Sequence, residues 1–65
     1  MKEIKLYTTD RCAFCERTKV LLRRKGLSYT EINLARDAEG RAELAARTGL
    51  MTFPQVLIED ELLAA

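Results

Sequence analysis

Two cysteines separated by two residues constrain this sequence more than any other feature. Cys12 and Cys15 follow residues 3–8, where polar and apolar residues alternate with the period of a strand, and they open a stretch without Gly or Pro that predicts a helix to Lys25. A disulfide between them would close a very short loop and restrict the unfolded chain little, so it would be a weak staple for a small domain. The pair therefore points to chemistry.

The place of this pair at a helix start gives the two cysteines different expected roles. Cys12 meets unpaired backbone N–H groups and the positive end of the helix dipole, which stabilise a thiolate, and the thiolate is the nucleophile. Arg11 adds a cation and Asp10 opposes it. Cys15 lies one turn inside the helix and is expected to be more buried. We predict that Cys12 attacks a disulfide and Cys15 resolves the mixed disulfide.

Two other uses of the cysteines need weighing. A structural zinc site takes four ligands, and two Cys with no His cannot supply them without carboxylates or a second chain. The cysteines could also be inert and buried. A C-x-x-C beside a β-α-β pattern in a cytosolic protein favours redox chemistry over both.

Composition narrows the class of protein. Sixty-five residues predict a single domain over residues 1–65. Eleven Lys and Arg against ten Asp and Glu argue against a nucleic-acid or membrane binder. No apolar run has the length of a membrane span and Met1-Lys2-Glu3 opens no signal peptide, so we expect a cytoplasmic protein.

The chain reads as alternating strands and helices. Predicted strands cover residues 3–8, 28–34 and 55–58, and predicted helices cover 12–25 and 37–48 with glycines at their ends. Val20, Leu21 and Leu22 are expected on the buried face of the first helix. The β-α-β-α-β order predicts an α/β fold, a small mixed sheet flanked by helices whose first two strands are parallel. Residues 61–65 resemble a helix start or a frayed stub.

A second motif, Thr52-Phe53-Pro54, precedes the third predicted strand. Proline is tolerated at the first residue of a strand, and most X–Pro bonds are trans, so the motif alone is weak. It becomes stronger after a C-x-x-C at the end of the first strand.

Together these motifs make the chain resemble a glutaredoxin of the thioredoxin-like superfamily. The resemblance covers residues 3–58 and is carried by Ile4-Lys5-Leu6-Tyr7-Thr8, Cys12-Ala13-Phe14-Cys15, Leu21-Leu22-Arg23-Arg24-Lys25-Gly26, Arg47-Thr48-Gly49 and Thr52-Phe53-Pro54-Gln55-Val56. It implies a glutathione-dependent thiol–disulfide oxidoreductase acting on protein or glutathione mixed disulfides. It also implies a cis Pro54 that faces the disulfide, and a third strand antiparallel to the first.

The resemblance also suggests where glutathione would bind. Thr52, Phe53 and Pro54 are candidate ligand residues, and backbone groups of Thr52 and Phe53 would pair with the glutathione peptide like an added strand. Arg47 would meet a glutathione carboxylate, although a basic residue near a helix C-terminus also suits the dipole. Phe14 replaces the usual tyrosine and would pack on the ligand, unless it is merely exposed or packed inward.

Two positions near the cysteines depart from the family pattern. Ala13 replaces a common proline, and relatives lacking that proline include proteins that hold an iron–sulfur cluster between two chains with two glutathiones. Thr9 replaces a common lysine, which leaves Arg11 as the nearby cation and as the candidate ligand residue for the glutathione carboxylate or thiolate contact that the lysine makes in the family. The alternatives are therefore an iron–sulfur carrier or scaffold and an electron donor that thioredoxin reductase reduces.

The C-terminal part departs as well. The Gly-Gly pair is missing, and the fourth strand and last helix are expected to be missing or reduced. The third strand would then be a sheet edge, and an exposed apolar edge invites pairing. We therefore expect a homodimer or strand exchange through Val56-Leu57-Ile58.

Overall fold

The computed structural model has the α/β architecture that the sequence predicts. It describes residues 3–59 and, for the backbone alone, residues 61–64. The elements, in chain order, are β1 (Ile4–Thr8), α1 (Ala13–Arg24), β2 (Thr30–Asn33), α2 (Ala38–Thr48), β3 (Gln55–Ile58) and β4 (Glu61–Ala64). They form one sheet in the order β2-β1-β3-β4.

Strand pairing places β1 at the centre of the fold. β1 is parallel to β2, with Leu6 opposite Glu31, and antiparallel to β3, with Leu6 opposite Val56. A parallel pair needs a crossover connection, which α1 provides. The predicted strand directions are confirmed.

Side chains of β1 alternate between two hydrophobic cores, one on each face of the sheet. One core joins Ile4, Leu6, Leu22 and Val56 under α1. The other joins Tyr7, Leu34, Leu44 and Leu57 under α2. Because successive strand residues point to opposite faces, β1 contributes to both cores. The loop that leads to Cys12 follows directly from the end of β1.

The inward face of α1 differs from the prediction. Cys15 and Leu22 are buried, whereas Val20 and Leu21 are 45% and 52% exposed. Consecutive helix residues are about 100° apart, so three in a row cannot share one buried face. The expectation for Leu22 is confirmed and that for Val20 and Leu21 is wrong.

The C-terminal expectations are met in part. The fourth strand is reduced, as one of the two expected outcomes: β4 has four residues and pairs antiparallel with β3. Residues 61–64 therefore do not begin a helix, which corrects that expectation, and no helix follows β3 within the described residues. β3 lies between β1 and β4 and is not an edge, which removes the basis for dimerisation or strand exchange through Val56-Leu57-Ile58. Asp60, and Ala65 at the end of the expected stub, lie outside the described residues.

Candidate active site

The Cys12 sulfur lies at the start of α1 and takes part in capping it. Cys12 is the N-cap residue, and the backbone N–H of Cys15 donates to its Sγ at 3.1 Å. The Cys12 thiol in turn lies 3.9 Å from the carbonyl oxygen of Phe53, which it faces as a donor. The side chain is half-buried. The sulfur thus receives a helix N–H while keeping access to solvent, as the predicted nucleophile requires.

Cys15 lies behind Cys12 and is 1% exposed. Burial, followed by a side-chain hydrogen bond with Cys12, raises the pKa of the Cys15 thiol to about 11. Both cysteines are free thiols, so the structure represents the reduced dithiol. The expected difference in burial is confirmed, and near neutral pH Cys15 holds its proton.

An apolar groove begins beside the cysteines. The Phe53–Pro54 peptide bond is cis, as the resemblance implies. Phe14, Thr52, Phe53 and Pro54 line the groove, whose volume is about 660 Å³ and which continues along α1. Phe14 is 65% exposed, and the Arg17 guanidinium lies 5.4 Å from its ring centre. The structure therefore brings four of the predicted ligand residues to one surface.

The two predicted ligand arginines lie outside this groove lining. Arg47 lines a separate cavity on the α2 side, with Tyr7, Ile32 and Leu44. Arg11 is exposed in the turn before α1, with a backbone φ of 55°. Among the described residues, Cys15 and Phe53 supply the hydrogen-bond contacts of the Cys12 sulfur, and Arg11 does not.

Gln55 is a site residue that the sequence reasoning missed. Its side chain is fully buried, and its Nε2 donates to the carbonyl oxygens of Leu50 at 3.2 Å and Thr52 at 2.9 Å. Its Oε1 is buried without a hydrogen-bond partner. The amide therefore holds the loop that carries Thr52, Phe53 and Pro54 against the sheet. A polar residue directly after Pro54 in an otherwise apolar strand was the available signal.

Two features bear on other classes of function. Within residues 3–59, no group of three or more His, Cys, Asp or Glu side chains is placed to hold a metal ion. None of the described helices has the length and apolar character to cross a membrane.

Comparison with known proteins places this geometry in a family. The family model described as Glutaredoxin matches residues 4–63. The chain is 37% identical over 61 residues to Glutaredoxin 3 of Escherichia coli strain K12, covering 94% of this chain and 74% of that protein. It is 45% identical over 60 residues to a glutaredoxin of Pseudomonas aeruginosa, covering 92% of this chain and 71% of the relative.

Solved structures agree with the sequence comparison. The crystal structure of a buckwheat glutaredoxin–glutathione complex superposes with a TM-score of 0.82 at 28% identity. The match covers 94% of this chain and 58% of the buckwheat chain, so this chain spans less than two thirds of that protein's length.

Proposed function

Because the chain belongs to the glutaredoxin family and is a thiol–disulfide oxidoreductase, we propose that it uses glutathione as its reductant and Cys12 and Cys15 as its redox pair. The observation that carries this proposal is the asymmetry of the two thiols. Cys12 is accessible and accepts a helix N–H, whereas Cys15 is buried in contact with it. An accessible sulfur with a buried neighbour suits one attacking and one resolving thiol.

The proposed reaction runs through a mixed disulfide. The Cys12 thiolate attacks one sulfur of a protein or glutathione disulfide, an S–S bond forms to Cys12, and the other sulfur leaves as a thiolate that takes a proton from water. The Cys15 thiol then loses its proton and attacks the Cys12 sulfur. The bound thiol leaves with the electron pair of the broken bond, and Cys12 and Cys15 are oxidised to a disulfide. Two glutathione molecules reduce that disulfide and are themselves oxidised.

We place glutathione beside the groove next to Cys12. Backbone groups of Thr52 and Phe53 would pair with the glutathione peptide, and Phe14 would pack on it, because these residues share a surface with Pro54. Arg47 and Arg11 do not line the groove, so they would contact only glutathione carboxylates that extend beyond it. The support from comparison is the similarity to the buckwheat protein in complex with glutathione.

The proposed partners are glutathione and protein disulfides in the cytoplasm, where glutathione keeps thiols reduced. The predicted iron–sulfur role and reduction by thioredoxin reductase stay predictions. A visible absorbance band after anaerobic purification that is lost in Cys12→Ser would indicate a cluster. Turnover with thioredoxin reductase in place of glutathione would indicate the other electron source.

A glutathione-coupled disulfide reduction assay tests the proposal. Cys12→Ser should abolish activity with every disulfide. Cys15→Ser should retain activity on glutathione mixed disulfides, because a second glutathione can resolve the adduct on Cys12, and should lose activity on protein disulfides that need both thiols. Full activity of Cys12→Ser would overturn the assignment.

A further inference from the structure

A charged cluster lies on the inward face of α1, one turn beyond Cys15. Lys19 follows Cys15 by four residues, a spacing that places two side chains on the same helix face with Cβ atoms about 6 Å apart. The Lys19 side chain is 18% exposed, although long charged side chains usually extend into solvent. The reaction proposed above gives this lysine no role.

Two carboxylates hold the Lys19 ammonium in place, and a hydroxyl fixes one of them. Lys19 Nζ lies 2.8 Å from Glu31 Oε2 and 3.2 Å from Glu16 Oε1. The same Glu31 oxygen accepts the hydroxyl of buried Thr8 at 2.9 Å. We call these four residues the Lys19 cluster. It ties β1, α1 and β2 together on the face of the sheet that also buries Cys15.

Lys19 and Glu31, the two central members of the Lys19 cluster, are both charged near neutral pH. The hydrogen bond with Glu31, followed by that with Glu16, raises the pKa of Lys19. The hydrogen bond with Lys19 lowers the pKa of Glu31. Because Thr8 also fixes Glu31, the Lys19 ammonium is held beside the Glu31 carboxylate and does not move freely in solvent.

We propose that Lys19 is a positioning residue for the second thiol, and that its fixed charge stabilises the negative charge that develops on the Cys15 sulfur during resolution. The inference rests on the roles proposed above for Cys12 and Cys15. In this step the Cys15 proton passes to water, a bond forms between the two cysteine sulfurs, and the outgoing thiolate carries away the electron pair. Burial opposes the developing charge, and the charge of Lys19 favours it.

The size of the effect follows from two opposing trends. Loss of one nearby charge in a partly buried site changes a thiolate population by about tenfold. A more basic thiolate is a better nucleophile, which offsets roughly threefold of that change. Removal of the Lys19 charge should therefore slow resolution by about threefold.

The experiment uses the chromogenic disulfide dithiobis-nitrobenzoate, which releases a coloured thiolate twice. The first release reports attack by Cys12 and depends on reagent concentration, whereas the second reports resolution by Cys15 and does not. Lys19→Met should slow the second release by about threefold and leave the first unchanged. Lys19→Arg should restore the second release, because it keeps the charge.

Arg23→Met is the matched control. It removes one cation from the same helix, eight residues beyond Cys15, which is about 12 Å along the axis and beyond the screening length at moderate salt. It should leave both releases unchanged. If Lys19→Met does not fold, Lys19→Gln, which keeps a polar side chain without charge, provides the same comparison.

The proposal would be overturned if the second release kept its wild-type rate in the uncharged Lys19 variants. It would also be overturned if the second release were as slow in Lys19→Arg as in Lys19→Met. Failure of the underlying roles gives a different result. A second release that persists in Cys15→Ser, or a first release that persists in Cys12→Ser, would show that the cysteines are wrongly assigned.

Discussion

Replacement of Gln55 by leucine should impair the active site more than it impairs the fold. Leucine removes the hydrogen bonds from the Gln55 amide to the carbonyls of Leu50 and Thr52, a loss of about 2 kcal/mol. It also removes the buried Oε1 that has no partner, which recovers about 1 kcal/mol. Gln55→Leu should therefore lower the free energy of unfolding by only about 1 kcal/mol.

Activity should respond more strongly, because the freed carbonyls belong to the loop that presents Thr52 and Phe53 beside Cys12. A displacement of about 1 Å in a positioning loop can cost up to a hundredfold in rate, and we expect kcat/KM for a glutathione mixed disulfide to fall by at least about tenfold. Urea unfolding and the glutathione-coupled assay give the two quantities.

Arg41→Met provides the control for the Gln55 prediction. Arg41 Nη1 donates to the carbonyls of Leu34 at 2.6 Å and Ala35 at 2.7 Å, so this variant also frees two loop carbonyls, but in the connection between β2 and α2. It should lose about 2 kcal/mol of stability and keep its activity. If Gln55→Leu stays as active as Arg41→Met at comparable stability, the Gln55 amide does not position the site.

Three further predictions concern the fold. Glu59 has a φ of 50° in the turn between β3 and β4, a conformation that glycine adopts without strain. Glu59→Gly should therefore raise the free energy of unfolding by about 1 kcal/mol. A lower free energy of unfolding in urea would refute the turn geometry. A Cβ on Gly40 would lie 2.5 Å from Oδ2 of Asp37, which caps α2, so Gly40→Ala should lose about 1 kcal/mol; a gain, as helix propensity alone predicts, would contradict the capping contact. The hydrogen bond with Lys19 lowers the pKa of Glu31 below its ordinary value of 4.5. The wild-type protein should therefore be more stable than Glu31→Gln above pH 4.5, and this difference in the free energy of unfolding should vanish as the pH falls through the lowered pKa. A stability difference that persists in acid would show that the ion pair does not cause it.

The sequence was sufficient for features that rest on local pattern. Strand alternation around Leu6 and the apolar run from Val56 to Ile58 predicted two strands, and capping residues such as Asp37 and Gly49 marked the ends of α2. Cys12 at a helix start is also a local feature. Its asymmetry with Cys15 therefore follows from helix geometry alone.

The remaining features depend on contacts between residues distant in sequence. Glu31 meets Lys19 only because β2 pairs beside β1 under α1, and no local pattern links two residues twelve apart. The strand β4 was missed because its turn lacks the glycines that mark a hairpin, and Glu59 adopts the positive φ instead. The contacts of Gln55 depend on how the loop before Pro54 folds back.

The central claim is that Cys12 is the sulfur that carries the mixed disulfide and Cys15 the sulfur that releases it. The most direct test incubates Cys15→Ser and, separately, Cys12→Ser with oxidised glutathione and locates the adduct by peptide mass spectrometry. The account predicts a stable glutathione adduct on Cys12 in the first variant and no adduct on buried Cys15 in the second. An adduct on Cys15 with none on Cys12 would contradict it.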